Sequence, residues 1–409
     1  MGVIIRPIDE SEFPGFARAL ELSAGRHPTP DAVTDGRRAY PLDRVLALVD
    51  GDVVVGGTAS DVLELTVPGR TTVSIARATL TAVLPSHRGA GHATALLAAQ
   101  LADLRRRGEV LAACTTSTPG LVWAVGYGPA SRATTLELTP GPVPTPLAPG
   151  EGGSVRLLER GEYGVLPEVF DRHRRGQPGQ VSRRPEFWDL WFLDRPLFRV
   201  GDGDRFAIVH EDDAGRTQGY LTYRLSAGDL RTQPVATLDV EDLIAVTDAA
   251  RSALWGYCRG FTQAARVRAV NVPEDEPLRW ALTNTRDLRV TGVRDFLWLR
   301  LVDVAAALSA RWYGTADRLV LDVTDPVLPA NGGRHLLEAA EDGSATCGAT
   351  ALPADLALDV RDLAAAYLGG ATVTALARAG RVTELAPGAA RRADAMLASA
   401  PAPWTATDW

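Results

Sequence analysis

Lysine is absent from this chain of 409 residues, so all 43 of its basic side chains are arginine. Without a lysine amine no Schiff base forms, which excludes lysine-bound pyridoxal enzymes. P-loop NTPases and protein kinases go the same way, because each needs a lysine at a set place. Cysteine is scarce. Cys114, Cys258 and Cys347 are odd in number and far apart, which offers neither a disulfide framework nor a CxxC metal knuckle, and they read as small buried hydrophobes. The six histidines (His27, His87, His92, His173, His210 and His335) show no HxxxH or HExxH spacing, so no bound metal is expected. No stretch reaches the roughly 20 uninterrupted apolar residues of a bilayer span. The opening MGVIIRPIDE lacks the basic, apolar and small-residue order of an export signal, so a cytoplasmic protein is expected. A formal charge of -7 leaves no general basic face for nucleic acid or anionic membrane, and suits small cationic partners better.

What remains is an ordinary globular composition, 46% hydrophobic and 23% charged. Single cores stop growing near about 250 to 300 residues, so two or three domains are expected. Val3 to Pro7 reads as a strand, and Ser11 to Ser23 as a helix with Phe13, Phe16, Ala17 and Leu20 on one face. Residues 24 to 42 read as loop. Asp50-Gly51 turns a hairpin, Ala76 to Leu84 is a strand, Gly91 to Arg106 a helix and Leu111 to Thr115 a strand again. This order predicts an α/β or α+β domain over 1–140 with one parallel strand pair. Pro140 to Gly153 is a proline and glycine linker. From Val155 the strand-then-helix opening recurs, which points to a duplicated α/β unit over 154–296. A smaller α+β domain over 297–409 follows, with strands near Leu319 and His335 and three closing helices.

The segment Thr79 to Ala93 carries the chemistry. A strand runs into Arg88-Gly89-Ala90-Gly91-His92-Ala93 and then a helix, whose unpaired first N–H groups and positive dipole end suit a pyrophosphate. Gly89, Gly91 and Ala93 let a ligand approach the backbone, and Arg88 adds a fixed charge. A dinucleotide fingerprint is disfavoured, because the run reads GxGxxT and no βαβ unit opens the chain. Taken alone, the segment also suits a glycine turn that merely starts a helix.

The order Arg-x-x-Gly-x-Ala at a strand-to-helix junction, with Gly126-Tyr127-Gly128 behind it, resembles the acetyl-CoA motif of GNAT acetyltransferases. Pro85-Ser86-His87-Arg88, Gly126 to Ala130, Phe296-Leu297-Trp298-Leu299-Arg300 and the aromatic C-terminus, taken together, resemble the Eis (enhanced intracellular survival) family over essentially the whole chain. That resemblance implies two tandem GNAT-like domains, the second without cofactor, followed by a sterol-carrier-protein-like domain, assembled as a homohexamer. It implies acetyl-CoA held by Thr81, Ala82 and Val83 on the strand and by Arg88 to Ala93 on the loop. Tyr127 is implied as general acid and the terminal carboxylate of Trp409 as general base, with Asp295 and Asp408 beside a cationic amine such as an aminoglycoside, a polyamine or a lysine-like group. The loop His27 to Tyr40 has no tryptophan, which departs from the aromatic wall expected around an aminoglycoside. In the second copy Thr247-Asp248-Ala249-Ala250-Arg251 lacks glycine and puts an acid at the helix start, so one cofactor per chain is expected. Cys114 has no histidine suggested beside it, and direct transfer without an acyl-enzyme follows. The rival from another class is a non-catalytic carrier that binds an apolar ligand in its third domain.

Overall fold

The computed structural model describes residues 2–69, 71–141, 152–194, 203–226 and 236–408. Most of the stretch read as a linker, Pro140 to Gly153, lies outside the described residues. In chain order the first elements are β1 (Ile4–Pro7), α1 (Phe13–Ser23), α2 (Pro30–Ala39), β2 (Val45–Asp50), β3 (Val53–Val67), β4 (Thr71–Val83), α3 (His92–Arg106), β5 (Leu111–Cys114), α4 (Pro119–Ala124), β6 (Gly128–Pro129) and β7 (Arg132–Leu138). Then come β8 (Ser154–Leu158), α5 (Leu166–Arg174), α6 (Pro185–Leu193), β9 (Arg205–Glu211), β10 (Thr217–Ser226), β11 (Ala236–Ala245), α7 (Asp248–Gly260), β12 (Ala264–Val272), α8 (Leu278–Ala281) and β13 (Leu288–Asp295). The last group is β14 (Trp298–Leu301), α9 (Val304–Ser309), β15 (Asp317–Thr324), β16 (Gly333–Ala339), β17 (Ala345–Ala349), β18 (Leu356–Asp359), α10 (Val360–Ala366), α11 (Val373–Arg378), β19 (Val382–Glu384) and α12 (Ala389–Leu397). The helix α2 replaces the loop expected over 24–42. Its sequence PDAVTDGRRA has too few apolar residues to declare a helical period, and the apolar face of α1, on which it packs, supplies what the period lacks. Among the described residues no helix is long and apolar enough to cross a membrane.

Duplication is visible in local chemistry as well as in element order. Arg6 grips Glu12 through two hydrogen bonds of 2.8 and 2.6 Å, and Glu12 reaches back to the Asp9 N–H at 3.0 Å to start α1. Arg156 and Glu162 repeat the arrangement before α5, with Glu162 accepting from the Glu159 N–H at 2.8 Å. Each copy then builds a seven-stranded sheet. The first has the order β1-β2-β3-β4-β5-β14-β6, and the second β13-β7-β12-β11-β10-β9-β8. Each holds one parallel pair, β4 with β5 and β11 with β12.

The seventh strands are exchanged. Strand β7, which lies within the first domain as divided by sequence, hydrogen-bonds between β12 and β13, while β14 fills the corresponding gap between β5 and β6. The compact units of the chain follow this exchange. One comprises residues 1–131, 296–403 and 408–409, and the other residues 132–295 and 404–407. The first unit also holds a five-stranded sheet of order β17-β16-β15-β18-β19, in which only β15 and β18 run parallel.

In the second unit Leu158, Phe170, Trp188, Val209, Tyr220, Ile244 and Trp404 form one buried cluster. His173 lies beside it, with its ring edge-on to Trp404 at 6.2 Å and Nδ1 hydrogen-bonded to the Ala245 carbonyl at 2.9 Å. Burial pushes its pKa down to about 4 from an ordinary value near 6.5. The fold therefore favours neutral imidazole. Its contribution is complete above about pH 6.5 and is lost as pH falls towards 4, a change on the order of 3 kcal/mol for the second unit. Urea unfolding of the whole chain between pH 7 and 4 is expected to show this loss, and His173→Gln to flatten that part of the profile.

Candidate functional site

The site starts from a break in backbone pairing. β3 and β4 form a long hairpin whose register slips once: Gly57 faces Ala82 and Ala59 faces Thr79, so Leu80 and Thr81 stand opposite Thr58 alone. That bulge turns β4. On its other edge β4 pairs with β5 only at Ile75–Leu111, Ala76–Ala112 and Arg77–Ala113, yet it runs on to Val83. Beyond Arg77 no strand lies beside it among the described residues. The main-chain groups there still need partners. Glycine makes the bend possible, because a Cβ on Gly56 would lie 2.4 Å from the Ala82 carbonyl oxygen and one on Gly57 2.6 Å from that of Leu46. Gln100 on α3 pins the bulge by donating to Thr58 Oγ1 at 3.0 Å and to the Ala59 carbonyl at 2.8 Å, and Thr58 and Thr81 share a hydrogen bond of 3.1 Å.

At the end of β4 the chain makes one short 3-10 turn over Pro85–His87 and enters the loop. Gly89 and Gly91 have φ of +87° and +78°, in the left-handed region, and a Cβ on either would meet nothing within 4 Å. Residues 88–91 are exposed, His92 and Ala93 half-buried. No side chain caps α3 at Gly91, so its first N–H groups are left for solvent or a ligand. Arg88 stands differently from a residue aimed wholly at a phosphate. It donates from Nε to the Val83 carbonyl at 3.2 Å and from Nη2 to the Ser23 carbonyl at 2.8 Å, and so braces the loop.

Tyr127 follows α4, on a turn made by Gly126 at φ +91°. It is fully buried in a cluster with Ala76 and Ala78 of β4, Leu97 and Leu101 of α3, Cys114 and Trp298. Its hydroxyl has no hydrogen-bond partner. Burial and the neighbouring Cys114 push the phenol well above its ordinary range, against a smaller opposing pull from Arg300. It stays protonated at any physiological pH, so it can give a proton but not accept one. Burial likewise pushes the Cys114 thiol up to about 12, which removes it as a nucleophile.

Residues from the third sequence domain hold the tyrosine turn, and sequence reading assigned them no role. The guanidinium of Arg300, on β14, donates to the Val125 carbonyl at 2.9 Å and to both Asp325 carboxylate oxygens at 2.7 and 2.8 Å, with both side chains fully buried. Asp325 also accepts from Asn331 Nδ2 and from the backbone of Val327 and Leu328, at 2.9 to 3.1 Å. On the other side α10 closes on Gly128 so tightly that a Cβ there would lie 2.0 Å from the Arg361 carbonyl oxygen. The motif Phe296 to Arg300 contained the signal for this, but nothing in the sequence tied it to a partner aspartate or to the turn.

The two acids stand apart in kind. Asp408 belongs to the first unit and accepts from Thr115 Oγ1 at 2.9 Å, next to the end of β5. Asp295 ends β13 in the second unit, in register with Arg132. Trp409 lies outside the described residues. Trp123 and Trp298 meet edge-on at 6.3 Å in the first unit, with Trp298 buried in the cluster around Tyr127. In the second copy α7 is capped by its own Thr247, which accepts from the Ala250 N–H at 3.2 Å. Among the described residues no group of three or more His, Cys, Asp or Glu side chains is placed to hold a metal ion.

Comparison with known proteins gives three domain matches in this order: an acetyltransferase (GNAT) domain over residues 4–130, a second over 179–301, and a sterol carrier protein domain over 304–406. An uncharacterized N-acetyltransferase of Streptomyces avermitilis is 37% identical over 369 residues, 88% of each chain. The N-acetyltransferase Eis of Mycobacterium tuberculosis is 34% identical over 412 residues, 95% of each chain. Among solved structures, Eis1 from Mycobacterium abscessus superposes on 99% of this chain and 100% of its own, at 31% identity and a TM-score of 0.86. A GCN5-related N-acetyltransferase from Anabaena variabilis shares the fold at 20% identity and a TM-score of 0.82.

Removing one member of a buried ion pair leaves the other charge stranded, at a cost of about 3 to 5 kcal/mol. Asp325→Ala is expected to lower the guanidinium unfolding midpoint accordingly. Tyr127→Phe removes a buried hydroxyl with no partner, so the same measurement should show stability unchanged or raised by up to about 1 kcal/mol.

Proposed function

The chain belongs to the Eis family of GNAT N-acetyltransferases, and from that premise we propose that it carries an acetyl group from acetyl-CoA directly to a primary amine of a small cationic molecule. Aminoglycosides, polyamines and lysine-like amines are the candidate class. The observation that carries the reading is one continuous feature: an unpartnered edge of β4, an open glycine loop at the bare start of α3, and a buried tyrosine hydroxyl with nothing to bond. All three fit the coenzyme. The loop from Arg88 to Ala93, with its open N–H groups after Arg88, suits its pyrophosphate, and the main chain around Thr81, Ala82 and Val83 suits its amide-bearing arm. Bound acetyl-CoA supplies an activated thioester.

The chain's own groups do the rest. A strand N–H near Val83 receives the carbonyl oxygen as negative charge builds on it. Tyr127 gives its proton to the departing sulfur, and the turn between Arg300 and α10 holds it in place. The terminal carboxylate of Trp409 takes the proton from the amine. With an ordinary pKa of about 3.5 it needs burial or a bridging water to act as a base. Asp295 and Asp408 draw the cation. Acetyl-CoA is held once per chain, because the second copy has an acid and an internal cap where the first has bare glycines.

We divide the chain by task at the positions its sequence suggests: a catalytic copy over 1–140, a second copy over 154–296 and the sterol-carrier-like part over 297–409, with β7 and β14 exchanged between the sheets. Family membership supports a homohexamer. The three free cysteines suit a reducing cytoplasm.

Free thiol released from acetyl-CoA, with and without each candidate amine, tests the activity. Amine-dependent release supports it, and no release with any amine despite saturable coenzyme binding overturns it. Tyr127→Phe is expected to lower kcat by about 100-fold or more with little change in coenzyme affinity. A C-terminal extension, or deletion of Trp409, should do the same. A tailed protein that keeps full turnover takes the base away from the terminus.

A further inference from the structure

The second copy has its own parted strands, and they are filled. Thr222 faces Asp242 and Tyr223 faces Val240, so Glu241 bulges from β11 as Leu80 and Thr81 do from β4. The β11–β12 ladder ends at Val240–Ala269, while β11 runs on to Ala245 and β12 to Val272. This wedge is the counterpart of the coenzyme wedge in the first copy.

Trp404 to Thr407 occupy it. From β12, Asn271 donates to the Thr405 carbonyl at 3.0 Å and accepts from the Trp404 indole N–H at 2.8 Å. The Pro178 carbonyl accepts from the Trp404 N–H at 2.9 Å, and Gln180 Oε1 from the Ala406 N–H at 3.2 Å. Opposite, Asp242 on β11 holds Arg183 at 2.6 and 3.1 Å, and Arg183 donates to Thr407 Oγ1 at 3.0 Å and to the Ala406 carbonyl at 3.3 Å. The Trp404 indole fills the buried cluster beneath. Gly179, at φ +90°, forms the close wall, where a Cβ would lie 2.9 Å from the Trp404 nitrogen. Most of these bonds are to main chain, with one aromatic anchor, which is how extended peptides are recognised.

We propose that the coenzyme cleft of the second GNAT copy has become a peptide groove, and that its occupant is the chain's own segment Trp404–Thr407. The same segment shuts the cleft to a coenzyme arm, while Thr247 shuts the helix start to a phosphate. Its bearing on catalysis rests on the reading that the terminal carboxylate is the base. The held segment ends two residues before that carboxylate and so limits how far the terminus can roam.

The test uses the full chain, with amide hydrogen exchange read at residues 404–408 alongside kcat and acetyl-CoA affinity. Wild type is expected to protect the Trp404 and Ala406 amides. Asn271→Ala or Gln180→Ala should speed their exchange by about tenfold, as loss of one or two hydrogen bonds does, and leave coenzyme affinity unchanged. Wild-type tail amides that exchange as fast as in a free peptide of residues 399–409 overturn the groove, as does protection that survives both substitutions. Lost protection with a fallen kcat supports groove and base together. Lost protection with undiminished kcat supports the groove and removes the terminus from catalysis.

Discussion

Everything in the candidate site follows from a demand of the backbone. A strand that leaves its neighbour exposes N–H and C=O groups which must be satisfied by something. In this chain β4 pairs with β5 over three residues and runs on past the end of β5, a bulge at Leu80–Thr81 turns it further on, and glycines at 56 and 57 let the hairpin partner follow. The open edge leads into the bare end of α3, so amide donors line one continuous track. Tyr127 lies in the core cluster under that track, beside the residue where β5 stops.

The same wedge occurs twice in the chain and is satisfied in two ways. In the first copy no strand beside β4 supplies its partners beyond Arg77 among the described residues. In the second, Asn271, Gln180 and Arg183 have turned it towards a stretch of the chain itself. Small changes separate the two outcomes: a threonine cap and an aspartate in place of left-handed glycines at the helix start, and an amide side chain at the end of the parallel strand. Duplication supplied two similar geometries, and side-chain chemistry gave them different uses.

Much of this was legible in the sequence because it is local. Strand-to-helix junctions, the Asp50-Gly51 turn, the glycine loop and the repeated opening at Val155 all announce themselves within a dozen residues. Four things were not legible. α2 lacks an apolar period of its own and is a helix by virtue of what it packs on. Arg300 and Asp325 are 25 residues apart and joined only by a fold that buries both. Arg88 looked like a phosphate ligand because of its neighbours, yet two of its donors serve the carbonyls of Val83 and Ser23, and no spacing rule points to residue 23. The bulges, too, are invisible until the register is known.

The strand exchange has a consequence for how the protein is made. β7 waits for β12 and β13, and β5 and β6 wait for β14, so the first sheet is not whole when its own stretch of messenger has been translated and receives its last strand only after those of the second are made. Until residue 301 clears the ribosome, the nascent first sheet carries a gap with two unsatisfied strand edges, the kind of surface that chaperones capture and that aggregates. Nor is either GNAT copy whole if cut out at its sequence boundaries: the first lacks β14, encoded after residue 296, and the second lacks β7, encoded before residue 154.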